Sequence, residues 1–303
     1  MTDPHPDLER LEERRRRGWH QTPDRRLADA EAGAAFIRRA GMVTLFPASP
    51  EVPDLFHAHV GDPEARTEMK WSSPTGEVYG WRWGIGRPAA ACYTTFVMRR
   101  PTWVSWDLLP AVLRLRAPAA AADEAPGGGA VSAGAQRIAR VLADCDGVLS
   151  TGVLRALAGY PTGKAERAAF LRAVAELDDR LLLAKVFAGD DDDMRHALVH
   201  VRYPEHVAAA RALSAEAALD RLLMTYLPLA AYTRPVPLAR AIGLPPGDVV
   251  AGLERLAAAG YAVPAPGPDS AREGPRFAWA DADPAGDGAA AAAGGPQTRT
   301  TTR

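Results

Sequence analysis

The chain has little cysteine, no long apolar run and no surplus of charge of either sign. Cys92 and Cys145 are the only cysteines in 303 residues, too few and too far apart for a disulfide framework or a zinc ribbon. Both are expected in the core as free thiols. No apolar stretch approaches the length of a membrane span, and the charged N-terminus lacks the apolar segment of a secretory signal. A cytoplasmic protein with no membrane contact is therefore expected. The net charge is −1, without the basic excess usual in nucleic-acid binders, so a nucleic-acid role needs a local surplus. Residues 62–116 supply one: Arg66, Lys70, Arg82, Arg87, Arg99, Arg100, Arg114 and Arg116 against Asp62, Glu64, Glu68, Glu77 and Asp107, a net of +3.

Motifs that carry chemistry are scarce as well. No nucleophile elbow of the G-x-S-x-G type occurs. The stretch Gly159 to Ala165 has a glycine spacing one short of a phosphate-binding loop, and Ala165 stands where the magnesium-binding hydroxyl belongs. His57 and His59 diverge on a helix, while His196 and His200 share a strand face near the run Asp190 to Asp193. Neither pair has the spacing of a metal site, so no metal and no cofactor is expected.

What is present is a repeat. Between residues 134 and 280 the same unit is written twice, three short helices followed by two strands. In the first copy Ile138, Val141, Leu142 and Cys145 fall at helical spacing, followed by Val153, Leu154 and Leu157, then Phe170, Val174 and Leu177. Leu181 to Phe187 and Ala197 to Arg202 then read as a hairpin around a polar turn. The second copy has Leu219, Leu222, Leu223 and Tyr226, then Leu238 and Ile242, then Val249, Val250, Leu253 and Leu256, with Gly260 as a helix terminator. Tyr261–Val263 and Arg276–Ala280 complete it as strands. Helix-turn-helix followed by a hairpin "wing" is the winged-helix pattern, whose last helix commonly enters the major groove.

The N-terminal part reads as a more divergent third unit. Residues 5–26 form a mixed-charge helical segment and 29–39 a helix. Met42–Phe46 is a strand, Asp54–Val60 a short helix, 77–83 a strand with Tyr79, Trp81 and Trp83 on one face, 88–99 a helix, 102–104 a strand and 107–116 a helix. The expected fold is α+β and mainly helical, with three tandem winged-helix units. They cover residues 1–116, 135–207 and 208–280, with an Ala/Pro/Gly linker at 117–134 and a disordered tail at 281–303.

Lys164, Arg167 and Arg172 lie on the third helix of the first repeat, where a recognition helix sits, and are the first candidates for phosphate contact. The Asp190–Asp193 run beside them opposes it. Arg99 and Arg100 form a second basic patch. Trp81 and Trp83, with Lys70 and Arg82 nearby, are candidates for stacking a base; an aromatic stripe on a strand is otherwise the inner face of a sheet, and stacking requires Trp81 to be exposed.

With three such units, the stretches Arg14–Pro47, Tyr79–Pro110 and Ala135–Gly159 resemble the AlkZ/YcaQ-type winged-helix family, in its AlkZ-related branch. The resemblance implies DNA glycosylases that remove N7-alkylated purines, and a Gln-x-Gln or Gln-x-Asp motif that positions a water and stabilises charge as the glycosidic bond breaks. Where that motif is implied, this chain reads Thr44-Leu45-Phe46. Phe46 can neither activate water nor stabilise a cation, and Thr44 is too weak a base to act alone. Glu51 and Asp54 are the nearest substitutes, and Asp54 is also well placed as a helix cap.

The expected function is therefore a monomeric protein that binds double-stranded DNA, plain or alkylated, without the glycosylase motif. Two alternatives stand beside it: an active glycosylase with relocated catalytic groups (Thr44, Glu51 and Asp54 being the weak candidates), and a transcriptional regulator or protein-docking scaffold.

Overall fold

The computed structural model describes residues 6–116, 131–145, 147–187, 193–270 and 274–280. Most of the expected linker, the turn Asp190–Asp192 and the expected tail at 281–303 lie outside the described residues.

The first block contains α1 (Pro6–Gly18), α2 (Ala30–Ala40), β1 (Met42–Thr44), α3 (Leu55–Val60), α4 (Pro74–Gly86), β2 (Cys92–Thr94), β3 (Thr102–Val104) and α5 (Leu109–Arg116). Short polar residues start its helices: the side chains of Asp29, Asp54 and Ser73 accept backbone N–H groups of α2, α3 and α4, satisfying donors that have no partner inside a helix. Gly41 ends α2 at φ 77°, a left-handed conformation that costs glycine nothing. A side chain there would strike Thr225 and Leu108.

The middle block runs α6 (Ala133–Asp144), β4 (Val148–Ser150), α7 (Thr151–Leu157), α8 (Lys164–Asp179), β5 (Leu183–Val186), β6 (Arg195–Leu198) and α9 (Val199–Arg202). After α10 (Pro204–Arg211), the last block runs α11 (Ala215–Ala230), β7 (Tyr232–Thr233), α12 (Pro235–Ile242), α13 (Pro246–Ala258), β8 (Ala262–Ser270) and β9 (Gly274–Trp279).

One order of elements thus occurs three times: helix, short strand, two helices, hairpin. Each time the short strand pairs antiparallel with the second hairpin strand, Met42 opposite Val104, Val148 opposite Ala197 and Tyr232 opposite Ala278. The first and middle hairpins also meet, through Tyr93 opposite Lys185. This gives a six-stranded sheet of order β1-β3-β2-β5-β6-β4 and a separate three-stranded one of order β7-β9-β8.

Four sequence expectations are corrected. Residues 77–83 belong to helix α4, because Val78, Trp81, Arg82 and Ile85 form its buried stripe at the spacing of one helix face. The period-two aromatics were incidental to it. Residues 88–99 contain strand β2 rather than a helix, since the chain turns at Ala89 with φ 50°. Residues 199–202 are a helical turn, not strand. Cys145 is exposed, while Cys92 is buried and its thiol is pushed up to about 12 by burial.

Two cores result. The larger joins Phe36, Ile37, Leu55, Phe56 and Trp103 of the first block to Leu222, Leu223, Tyr226, Ile242 and Leu253 of the last. The smaller lies within the middle block, around Ile138, Leu142, Leu154, Phe170, Leu177 and Leu198. Phe187, which follows β5, reaches from the middle block into the larger core, 5.9 Å from the Trp103 ring and 5.6 Å from Tyr93, and Leu181, Ala184 and Val199 lie in that core with it.

Candidate functional site

The segment leaving β1 builds one wall of a cleft. Thr44 is buried; its backbone N–H donates to the Pro53 carbonyl at 2.9 Å and its hydroxyl to the same oxygen at 3.4 Å. Leu45 is buried too. Phe46 then lines a cleft of about 610 Å3 with Pro47, His57, Ala65, Arg66, Thr67, Met69 and Thr75.

A charged pair stands beside this wall. One oxygen of Asp54 accepts the His57 backbone N–H at 2.8 Å, capping α3, and the other accepts from His57 Nδ1 at 2.8 Å. The second ring nitrogen faces the Ala65 carbonyl at 3.2 Å. Burial opposes charge on the ring, but the Asp54 hydrogen bond and charge, helped by the Ala65 carbonyl, outweigh it and raise the His57 pKa. Two acceptors facing two ring nitrogens favour the doubly protonated imidazolium. Exposed Arg66 also lines the cleft, so the lining is mainly apolar, with Arg66 as a cation and the His57 imidazolium balanced by Asp54.

Glu51 faces inward, with 0% of its surface exposed. Its carboxylate accepts from Arg15 at 3.2 Å, Tyr226 at 3.2 Å, Thr233 at 3.1 Å and Arg234 at 2.8 Å. Arg15 also donates to the Ala230 carbonyl at 3.0 Å and lies over the Tyr232 ring at 3.8 Å. Burial, then the Glu51 charge, push the Tyr226 phenol far above its ordinary range. Glu51 therefore ties α1, the loop before α3 and the last block together behind the cleft wall. Sequence reasoning offered Glu51 and Asp54 as relocated catalysts; both hold the backbone that follows Phe46.

The basic candidates fall in separate places. Lys164, Arg167 and Arg172 are exposed on α8. Arg99 pairs with Asp179 at 3.0 Å, at the opposite end of that helix, roughly 22 Å from Lys164 at 1.5 Å per residue. Arg100 is exposed next to it. Lys70 is exposed and 3.6 Å from Glu68, while Arg82 lies over the Tyr79 ring at 3.3 Å and the Trp83 ring at 4.6 Å. Trp81 is only 6% exposed and packs edge-on against His59, so it is not available for stacking; Trp83 is half-buried. The residues that sequence reasoning missed are His57, as a cleft cation, and Met69 and Trp71, both exposed. The available signal was two large apolar residues in a polar stretch with no helix or strand period.

His196 meets no carboxylate of the Asp run among the described residues. It bonds Thr151 at 2.9 Å and Lys185 at 3.1 Å, and Lys185 holds Asp178 at 2.8 Å. Since Lys185 donates to Nδ1, the ring proton sits on Nε2 and is given to the Thr151 hydroxyl. His196 therefore cannot act as a base toward Thr151. Burial first, then Lys185, lower its pKa to about 3.

Three further observations bear on this arrangement. The sequence matches the family model described as AlkZ related over residues 27–228. Among solved structures, the fold is similar to that of the Streptomyces sahachiroi DNA glycosylase AlkZ, with a TM-score of 0.54 at 12% identity, covering 89% of this chain and 69% of that one. No curated protein matches the sequence.

Proposed function

The chain belongs to the AlkZ-related family, and on that premise we propose that it binds double-stranded DNA and receives a base or nucleotide in the cleft beside β1 without excising it. One observation carries the reading. The two positions where a water-activating pair is implied hold a buried threonine bonded to Pro53 and a phenylalanine that forms the cleft wall. Such a cleft offers an apolar face for a base and Arg66 for its phosphate, but no group at those positions to activate water.

In this reading the recurring helix and hairpin order represents three winged-helix units, residues 1–116, 135–207 and 208–280. Lys164, Arg167 and Arg172 contact phosphates from the third helix of the second unit, with Arg99 and Arg100 as a further patch. The protein works as a cytoplasmic monomer.

Fluorescence anisotropy with plain and N7-alkylated duplexes over a salt series tests it. The expected result is binding that weakens with salt and falls away in the Lys164→Glu, Arg167→Glu double variant. No binding to either duplex at low salt overturns the proposal and leaves protein docking as the role of the three units.

One observation favours a second reading. The Asp54–His57 pair stands beside the cleft with its imidazole held for protonation, as a relocated acid would be. Release of an N7-alkylpurine by the purified protein, lost in His57→Gln, would establish excision. No abasic product at high protein concentration would eliminate it.

A further inference from the structure

The turn between Glu68 and Ser73 carries the two most exposed large apolar side chains among the described residues, Met69 at 97% and Trp71 at 77%. A single exposed apolar residue is ordinary. Two within three residues, next to a cleft that Met69 itself lines, are not.

The turn is also fixed. Thr75 Oγ1 accepts the Glu68 backbone N–H at 2.9 Å, the Lys70 carbonyl accepts the Ser73 N–H at 3.2 Å, and the Ser73 hydroxyl donates to the Lys70 carbonyl at 2.6 Å. Gly76, in the first turn of α4, lies so close that a Cβ there would fall on the carbonyl oxygens of Lys70 and Trp71. The indole is backed by the edge of Tyr79 at 5.5 Å, which in turn meets Trp83 at 6.0 Å. The Arg82 guanidinium lies over both of those rings. A row of edge-to-face aromatic rings, braced by Arg82, therefore ends on a solvent-facing indole whose geometry is already ordered, so little conformational freedom is lost when something stacks on it.

The surrounding charge selects the occupant. Of the four carboxylates from Asp62 to Glu77, Glu68 lies 3.6 Å from Lys70 and Glu77 3.3 Å from His59, while Asp62 and Glu64 are exposed ahead of the turn. Arg66 adds positive charge in the adjoining cleft, where the His57 imidazolium is balanced by Asp54. A planar apolar face with Arg82 behind it and Arg66 beside it fits a nucleobase on a phosphate backbone.

We propose that Trp71, with Met69 beside it, is a stacking platform for an unpaired nucleobase of a DNA strand whose backbone runs along Arg66. The proposal rests on the DNA-binding reading above and adds a site to it. Every base has a π-face, so the platform takes bases without regard to sequence but requires one that is free of its pair.

The test uses the full chain, a plain duplex, and the same duplex with a single bulged 2-aminopurine. The expected result is that Trp71→Ala weakens binding to the bulged duplex at least fivefold, the lower end of about 5- to 150-fold for loss of one stacked base, and leaves plain-duplex affinity unchanged. Trp71→Phe keeps most of the preference. Gly76→Ala, which displaces the turn but keeps the indole, loses it. Wild type, but not Trp71→Ala, changes the 2-aminopurine fluorescence. Salt-dependent binding to both duplexes that is identical in wild type and Trp71→Ala overturns the platform and leaves DNA binding standing. Failure of the wild type to bind either duplex overturns both, and points to a protein partner for the exposed indole.

Discussion

The first and last blocks, compared with the middle one, use one order of elements in opposite ways. The first and last have merged their cores, and a single carboxylate, Glu51, gathers Arg15, Tyr226, Thr233 and Arg234 across the join. The middle block keeps a core of its own, and carries its own ion pair, Asp178 with Lys185, beside a neutral His196. It meets the first block through the β2–β5 pairing, the Arg99–Asp179 ion pair, the Thr95 hydroxyl on the Asp178 carbonyl, and Leu181, Ala184, Phe187 and Val199 in the larger core. The same topology thus serves either as half of a joined body or as a self-sufficient attachment. What decides is where the polar side chains find partners. The cleft sits in the joined part, its wall fastened from behind by Glu51.

That contrast can be broken most strongly at Glu51. Glu51→Gln leaves two guanidinium groups without their carboxylate, and loss of one partner from a buried ion pair costs about 3–5 kcal/mol. The first and last blocks should lose protection against hydrogen exchange together, while α6 and α8 keep theirs. Uniform loss over all three blocks would show that the middle one is not self-sufficient.

A somewhat smaller effect is expected from Phe187→Ala, about 3 kcal/mol for a buried aromatic. Thermal unfolding should then move to lower temperature and broaden, because the largest apolar contact from the middle block into the larger core is gone. A transition at the wild-type temperature would contradict that contribution.

Acid should sharpen the comparison from the other side. The folded pKa of His196 is depressed to about 3 by burial and Lys185, against about 6.5 when unfolded. Its contribution is complete above pH 6.5 and is lost as pH falls toward 3, because only the unfolded chain takes up the proton. At pH 5 the loss is about 2 kcal/mol. Burial raises the pKa of Asp178 despite Lys185, which offsets part of it. Hydrogen exchange at pH 7 and pH 5 should show the middle block weakening first, and His196→Gln should remove most of the difference. Equal weakening of the Glu51 region would count against this assignment.

The two repeats were legible because each helix carries its own stripe. Leu219, Leu222, Leu223 and Tyr226 are buried on α11, as the spacing requires, and Phe170, Val174 and Leu177 on α8 likewise. In the first block the signal misled. Tyr79, Trp81 and Trp83 alternate like a strand, yet glycines at 76 and 84 let α4 approach its neighbours, and helical burial of Val78, Trp81 and Ile85 prevails. The basic residues on α8 were visible as a helical surface, but their separation from Arg99 depends on how the blocks meet. Asp54 was readable as a cap from local chemistry; its hold on His57 follows from their three-residue spacing, whereas His57 drew notice only beside His59. The partners of Glu51 lie 36, 175, 182 and 183 positions away. No local pattern reports such distances, so a residue that fastens the fold looked like a spare carboxylate near a lost motif.

The Glu51 junction also sets an order of events during synthesis. When Glu51 leaves the ribosome its hydrogen-bond donor Tyr226 is still 175 residues away, roughly 10–35 s at ordinary elongation rates. The middle block lies wholly between them and can close its own core in that interval. The nascent first block meanwhile exposes the apolar surface reserved for α11 to α13, and is the stage of biogenesis at which a chaperone has most to protect.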